Sequence, residues 1–224
     1  MERFVKIVFF FAALVALSGF GQALIELIPP FLSRWKSNWP FLAGVGVYGL
    51  LWRIYLSRRA PFWSIVEHEL THAVFALLFF KRVRSLNAFR NRGGQVTVEG
   101  GNFVIALAPY IFPLPVLFII LLKFLIVPHY DDVLNFLLGF FLMFHLVPLF
   151  SEVHPSQPDI QTTGVIFSLV VILLGNLFFI GLTLSALEVR GAGIDAFLKA
   201  GWQMSLKNAQ IFWQFIQQKL AHLL

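Results

Sequence analysis

His68-Glu69-Leu70-Thr71-His72 sits inside the apolar run from Pro61 to Phe80, and this placement decides how the rest of the chain is read. On a helix, residues four apart share one face about 6 Å apart along the axis, so both imidazoles can reach a single metal ion. Zinc takes histidine nitrogens at roughly 2.0 to 2.1 Å. Glu69 then stands beside that ion, where a carboxylate can take a proton from an attacking water and return it to a departing amine. The run is long enough to cross a bilayer. The pattern therefore points to a metal-hydrolase site at membrane depth. The competing reading is a hydrogen-bonded cluster of Glu67, His68 and Glu69 between helices, without metal. Ionisable side chains within a membrane are costly, and that cost favours the functional reading.

Beyond the motif, the 224-residue chain is 58% hydrophobic and 12% charged, with a mean hydropathy of +0.80. These values lie outside the range of soluble domains. Six apolar segments can be marked: Ile7 to Ile28, Phe41 to Leu56, Pro61 to Phe80, Phe103 to Val127, Val133 to Phe150 and Gly164 to Leu187. The expected fold is all-α, a polytopic membrane bundle of about six transmembrane helices. The second segment is short and carries Arg53, which can snorkel to the interface. Pro109, Pro113 and Pro115 predict a kinked or unwound start to the fourth. After Gly191, Trp202, Leu206, Ala209, Trp213, Ile216, Leu220 and Leu223 recur at helical spacing beside a polar stripe. This predicts a C-terminal amphipathic helix at the interface, with packing on neighbouring helices as the alternative.

Three regions follow: N-terminal transmembrane helices over 1–60, an intramembrane core over 61–187 and an interfacial C-terminal helix over 188–224. The apolar amino end resembles a signal peptide, but it continues through Ile28, so a retained span is expected. The net charge of +6 comes from basic residues flanking the spans. Their partner is the lipid bilayer and its anionic headgroups, and no nucleic-acid-reading module is visible. Lys81, Arg82, Arg84, Arg90 and Arg92 place the loop from Lys81 to Asn102 in the cytoplasm by the positive-inside rule, although Arg58 and Arg59 oppose this arrangement. The chain has no cysteine, which leaves His, Asp and Glu as metal ligands.

A catalytic zinc site takes three protein ligands and leaves a position open. His72 is followed by Ala73-Val74-Phe75-Ala76-Leu77-Leu78, which excludes the three-histidine continuation of soluble metalloproteases. Glu99, Glu152 and Glu188 do not lie in a pattern that reads as a ligand helix. Among the aspartates, Asp131 and Asp132 fall on the far side of the hairpin made by the fourth and fifth segments, and Asp195 belongs to the tail. Asp159 returns to the motif's side, behind Pro155-Ser156-Gln157-Pro158. It is the expected third ligand, with a helix N-cap as its alternative role.

With these residues assembled, the chain resembles the site-2 protease family of intramembrane zinc metalloproteases. The resemblance rests on the His68 to His72 motif in a span, on Pro148 and Asp159 in the later Asn-x-x-Pro and Leu-Asp-Gly region, and on the glycine-rich segment between them. The family's three-span core would cover about Pro61 to Leu187. His145 stands where the family has Asn, Pro158-Asp159-Ile160 replaces Leu-Asp-Gly, and Ala106-Leu107-Ala108-Pro109 lacks the usual Gly before Pro. The chain is thus expected to be a divergent, minimal member without a PDZ domain.

The resemblance implies Zn2+ held by His68, His72 and Asp159, and Glu69 as the proton carrier. His145 would take the electrophilic role of the family's Asn, the alternative being a packing histidine. It also implies a membrane-associated β-hairpin around Gly93 to Gly101, where Val96 and Val98 alternate as in a strand. Val96, Thr97 and Val98 would then bind an extended substrate by strand addition, a surface turn being the bland alternative. The expected activity is hydrolysis of peptide bonds in or near transmembrane segments of a membrane-protein substrate. The expected location is a bacterial inner (plasma) membrane. A metal-binding membrane scaffold or regulator without proteolysis is the rival reading, and Glu69, which metal binding alone does not need, argues against it.

Overall fold

Apolar runs fold as helices here because backbone N–H and C=O groups in hydrocarbon must be satisfied within their own segment. The computed structural model describes residues 2–54, 62–89 and 93–221. Its helices are α1 (Glu2–Ser33), α2 (Trp39–Ile54), α3 (Phe62–Leu78), α4 (Phe103–Leu107), α5 (Leu114–Leu125), α6 (Asp131–Glu152), α7 (Pro158–Thr163), α8 (Val165–Ser185) and α9 (Gly193–Ala221). One antiparallel hairpin, β1 (Val83–Phe89) and β2 (Gly93–Val98), lies between α3 and α4. Arg58, Arg59, Arg90 and Arg92, used above for orientation, fall outside the described residues, as does Pro61.

Of the six expected spans, three to four are found among the described residues. Among the described residues, α1, α6 with its preceding turn, and α8 are long and apolar enough to cross a membrane. The fourth segment is broken, as its prolines predict. Phe103–Tyr110 and Leu114–Leu125 meet at an 80° bend, and count as a fourth crossing only if taken together. The chain is an integral membrane protein, helical apart from its small sheet.

Two buried clusters organise the bundle. Phe41, Val116, Ile120, Leu138 and Leu142 join α2, α5 and α6, while Ala13, Leu107, Tyr110, Ile160 and Phe179 join α1, the broken span, α7 and α8. The approach of α2 to α6 is closer than side chains permit: a Cβ on Gly44 would strike the Phe136 carbonyl, and one on Gly139 would strike that of Phe41. Small residues allow such backbone contact between membrane helices. The C-terminal helix begins at Gly193. It runs antiparallel along α1, with Asn208 Nδ2 donating to Ser18 Oγ at 3.2 Å and Phe20 edge-on to Phe197. Packing, the alternative reading of this segment, thus accounts for its first half. Trp202, Leu206 and Trp213 remain exposed.

What positions the site is the end of α3. Phe80 adopts φ 55, the Phe80 N–H donates to the Leu77 carbonyl, and the Lys81 N–H reaches back to the Ala76 carbonyl at 2.8 Å. This pair of bonds is the Schellman arrangement that stops a helix, built here without glycine. It turns the chain back on itself, so the β-hairpin lies alongside α3 rather than beyond it.

Candidate metal centre

Helix α3 presents His68 and His72 one turn apart, with ring centroids 5.0 Å from each other. Helix α7 brings Asp159 to them across 87 positions of sequence. Asp159 Oδ2 lies 3.5 Å from His72 Nε2 and 4.0 Å from His68 Nε2. One ligand atom from each of the three residues falls within 4.8 Å of the others, the only such group among the described residues. The three ligands expected from sequence are therefore brought together, while Asp131 and Asp195 are engaged elsewhere, by Lys123 and Lys199.

The donor chemistry fits a metal ion. His72 Nδ1 is 2.8 Å from the Ile105 carbonyl, so that nitrogen carries a proton and Nε2 is the ring atom turned toward Asp159. The Ile105 carbonyl is free for this task because the residue four positions on is Pro109, which has no N–H to donate. His68 Nδ1 lies 3.3 Å from Glu152 Oε2, which likewise turns His68 Nε2 toward the other ligands. The Tyr110 hydroxyl donates to Asp159 Oδ2 at 3.2 Å and stacks edge-on to His68. Burial disfavours the charged form of Asp159, but the hydrogen bond and charge of His72, with help from His68 and Tyr110, more than offset it. Its pKa is held below the ordinary aspartate value. Thr163 Oγ1 donates to the Asp159 carbonyl at 2.7 Å, and the fully buried Ile160 anchors the next position, which fixes α7 in place.

Glu69 points toward the hairpin. The Val96 backbone N–H lies beside its carboxylate, and His68, His72 and Asp159 are its charged neighbours. Gly94 packs so closely that a Cβ there would collide with Glu69 Cγ and Oε1. Val96, Thr97 and Val98 do lie on a strand, β2, paired to β1 with Val96 opposite Leu86. The strand's backbone lies beside Glu69. His145 is buried in α6, 4% exposed, with no hydrogen-bond partner for Nε2 and the Asn176 side chain as a polar neighbour. It is not one of the clustered ligands.

Two groups escaped sequence reading. Glu152 touches His68 although it was passed over as a ligand helix residue; its position two turns after His145 on one helix face was the available signal. The other is Glu67, whose carboxylate lies beside the Leu114 N–H at the start of α5. Nothing local to Glu67 announces that.

The family described as Peptidase M50B-like matches residues 41–219 of the chain. The protein belongs to that family of membrane peptidases, within the site-2 protease group. No curated protein matches the chain. No solved structure matches it either.

Proposed function

We propose that this protein is a zinc-dependent intramembrane endopeptidase that hydrolyses peptide bonds in or near transmembrane segments of other membrane proteins. The observation that carries the reading is the meeting of His68, His72 and Asp159 beside the Glu69 carboxylate in a chain of a membrane-peptidase family. His68, His72 and Asp159 would hold the ion. Zinc bound there supplies Lewis-acid polarisation of a carbonyl and eases the deprotonation of water.

The chain's own residues do the rest. Glu69 takes the proton of the attacking water and passes it to the leaving amine. The Val96 to Val98 strand aligns an extended substrate segment, because a peptide bond inside a helix is shielded from attack. His145, whose buried Nε2 lacks a partner, donates to the carbonyl oxygen as negative charge builds on it. The setting this reading expects is a bacterial plasma membrane.

The test compares Glu69→Gln with His72→Ala in purified protein, measuring zinc content and cleavage of membrane-protein substrates. Glu69→Gln should keep zinc and lose roughly 10² to 10⁴ in rate, since the amide cannot carry the proton. His72→Ala should lose zinc and cleavage together. A Glu69→Gln variant that cleaves at the parental rate would remove Glu69 as the base, and zinc binding with no hydrolysis in the parent would favour a metal-binding scaffold.

A further inference from the structure

The two histidines of the centre are oriented by different kinds of acceptor. His72 Nδ1 meets a neutral backbone carbonyl at 2.8 Å, whereas His68 Nδ1 meets the Glu152 carboxylate at 3.3 Å. The carboxylate is itself held: Ser64 Oγ, buried on α3 one turn before His68, donates to Glu152 Oε1 at 3.3 Å. One oxygen of Glu152 is thus fixed by Ser64 while the other faces the imidazole. The Nε2 of His68 is left to face Asp159. Glu152 lies on the opposite ring nitrogen from the ligand cluster and does not belong to it.

We infer that Glu152 is a positioning residue for the metal centre, a carboxylate that orients His68 through Nδ1 and holds it in one tautomer, with Ser64 fixing the carboxylate. The inference rests on the metallopeptidase reading above. A histidine ligand whose second nitrogen donates to a carboxylate is held in one tautomer and binds its ion more tightly, and loss of such a partner typically costs about 10- to 100-fold in affinity. The contact also ties the last turn of α6 to the middle of α3. It therefore couples the placement of the short link to α7, which carries Asp159, to the placement of His68.

The experiment measures zinc affinity by chelator competition, and the visible spectrum of the Co2+-substituted protein, for Glu152→Leu, Glu152→Gln, Ser64→Ala and Asp159→Ala. Neither readout needs a substrate. Glu152→Leu should weaken zinc binding by about 10- to 100-fold and alter the cobalt bands. Glu152→Gln retains an acceptor for His68 Nδ1–H without the charge, so it should recover most of the affinity and the parental spectrum. Ser64→Ala should weaken binding severalfold, and it decides the matter if Glu152→Leu does not fold. Parental affinity and spectrum in Glu152→Leu, or in Ser64→Ala where that variant must decide, overturn the inference. Loss of zinc in Glu152→Gln as complete as in Asp159→Ala would make Glu152 a ligand, which also overturns it. If Asp159→Ala binds zinc as the parent does, the metal-centre reading itself fails, whatever Glu152 does.

Discussion

Asp159 and Asp131 carry the same side chain into different surroundings. Asp159 faces two imidazole nitrogens, whereas Asp131 pairs with Lys123 Nζ at 3.1 Å, a lysine side chain with no exposure that also donates to Asn135 at 2.6 Å. Asp159→Ala should empty the centre of zinc. Asp131→Ala should keep zinc but cost about 3 kcal/mol of stability, because it strands a buried charge. Metal analysis and denaturation in detergent separate the two effects. His68 and His72 were legible from spacing alone, since a four-residue interval is a local property of a helix. Asp159 was legible only through the order of the spans, which sorts carboxylates by side. Glu152 was not, because its use depends on how the last turn of α6 leans on α3.

Hairpin β1–β2 shows at the element scale which patterns survive in a sequence. Val96 and Val98 alternate and mark β2. The partner strand hides, because a register shift between Val83 and Ser85 breaks its period of two. The hairpin's placement against Glu69 came from a helix stop at Phe80, and an exposed phenylalanine at positive φ carries no sequence signal. Two substitutions probe that placement. Gly94→Ala should push the Glu69 carboxylate off its position and lower turnover by roughly 10²-fold, the scale of an ångström's misplacement at a reacting group. Val96→Pro removes the backbone N–H beside the Glu69 carboxylate. Both should retain zinc while cleavage falls, and parental turnover in both would detach the strand from the chemistry.

At the scale of the whole molecule, two polar groupings hold helices together in different places. The metal centre gathers α3, the hairpin and α7, while Lys123, Asn135, Asp131 and the Leu187 carbonyl lock α5, α6 and the end of α8 at the other end of α6. Lys81 to Asn102 and the link from α6 to α7 should therefore open to the same compartment. The chain has no cysteine, so Gly101→Cys and Ser156→Cys, both exposed sites, can be labelled singly with a membrane-impermeant thiol reagent. Equal labelling from one face is expected. Labelling from opposite faces would separate Asp159 from the hairpin and dismantle the proposed site.

The 80° break in the fourth apolar segment carries a further meaning. In an uninterrupted helix each carbonyl is claimed by an amide four residues later, so regular secondary structure leaves a membrane protein few backbone acceptors for chemistry. Pro109 withholds one amide, and the Ile105 carbonyl it leaves unclaimed is the one that steers His72. Helical regularity and a correctly tautomerised ligand are in this sense alternatives drawing on the same oxygen. The fold gives up continuity in one span, and the acceptor released lies where a ligand needs an anchor.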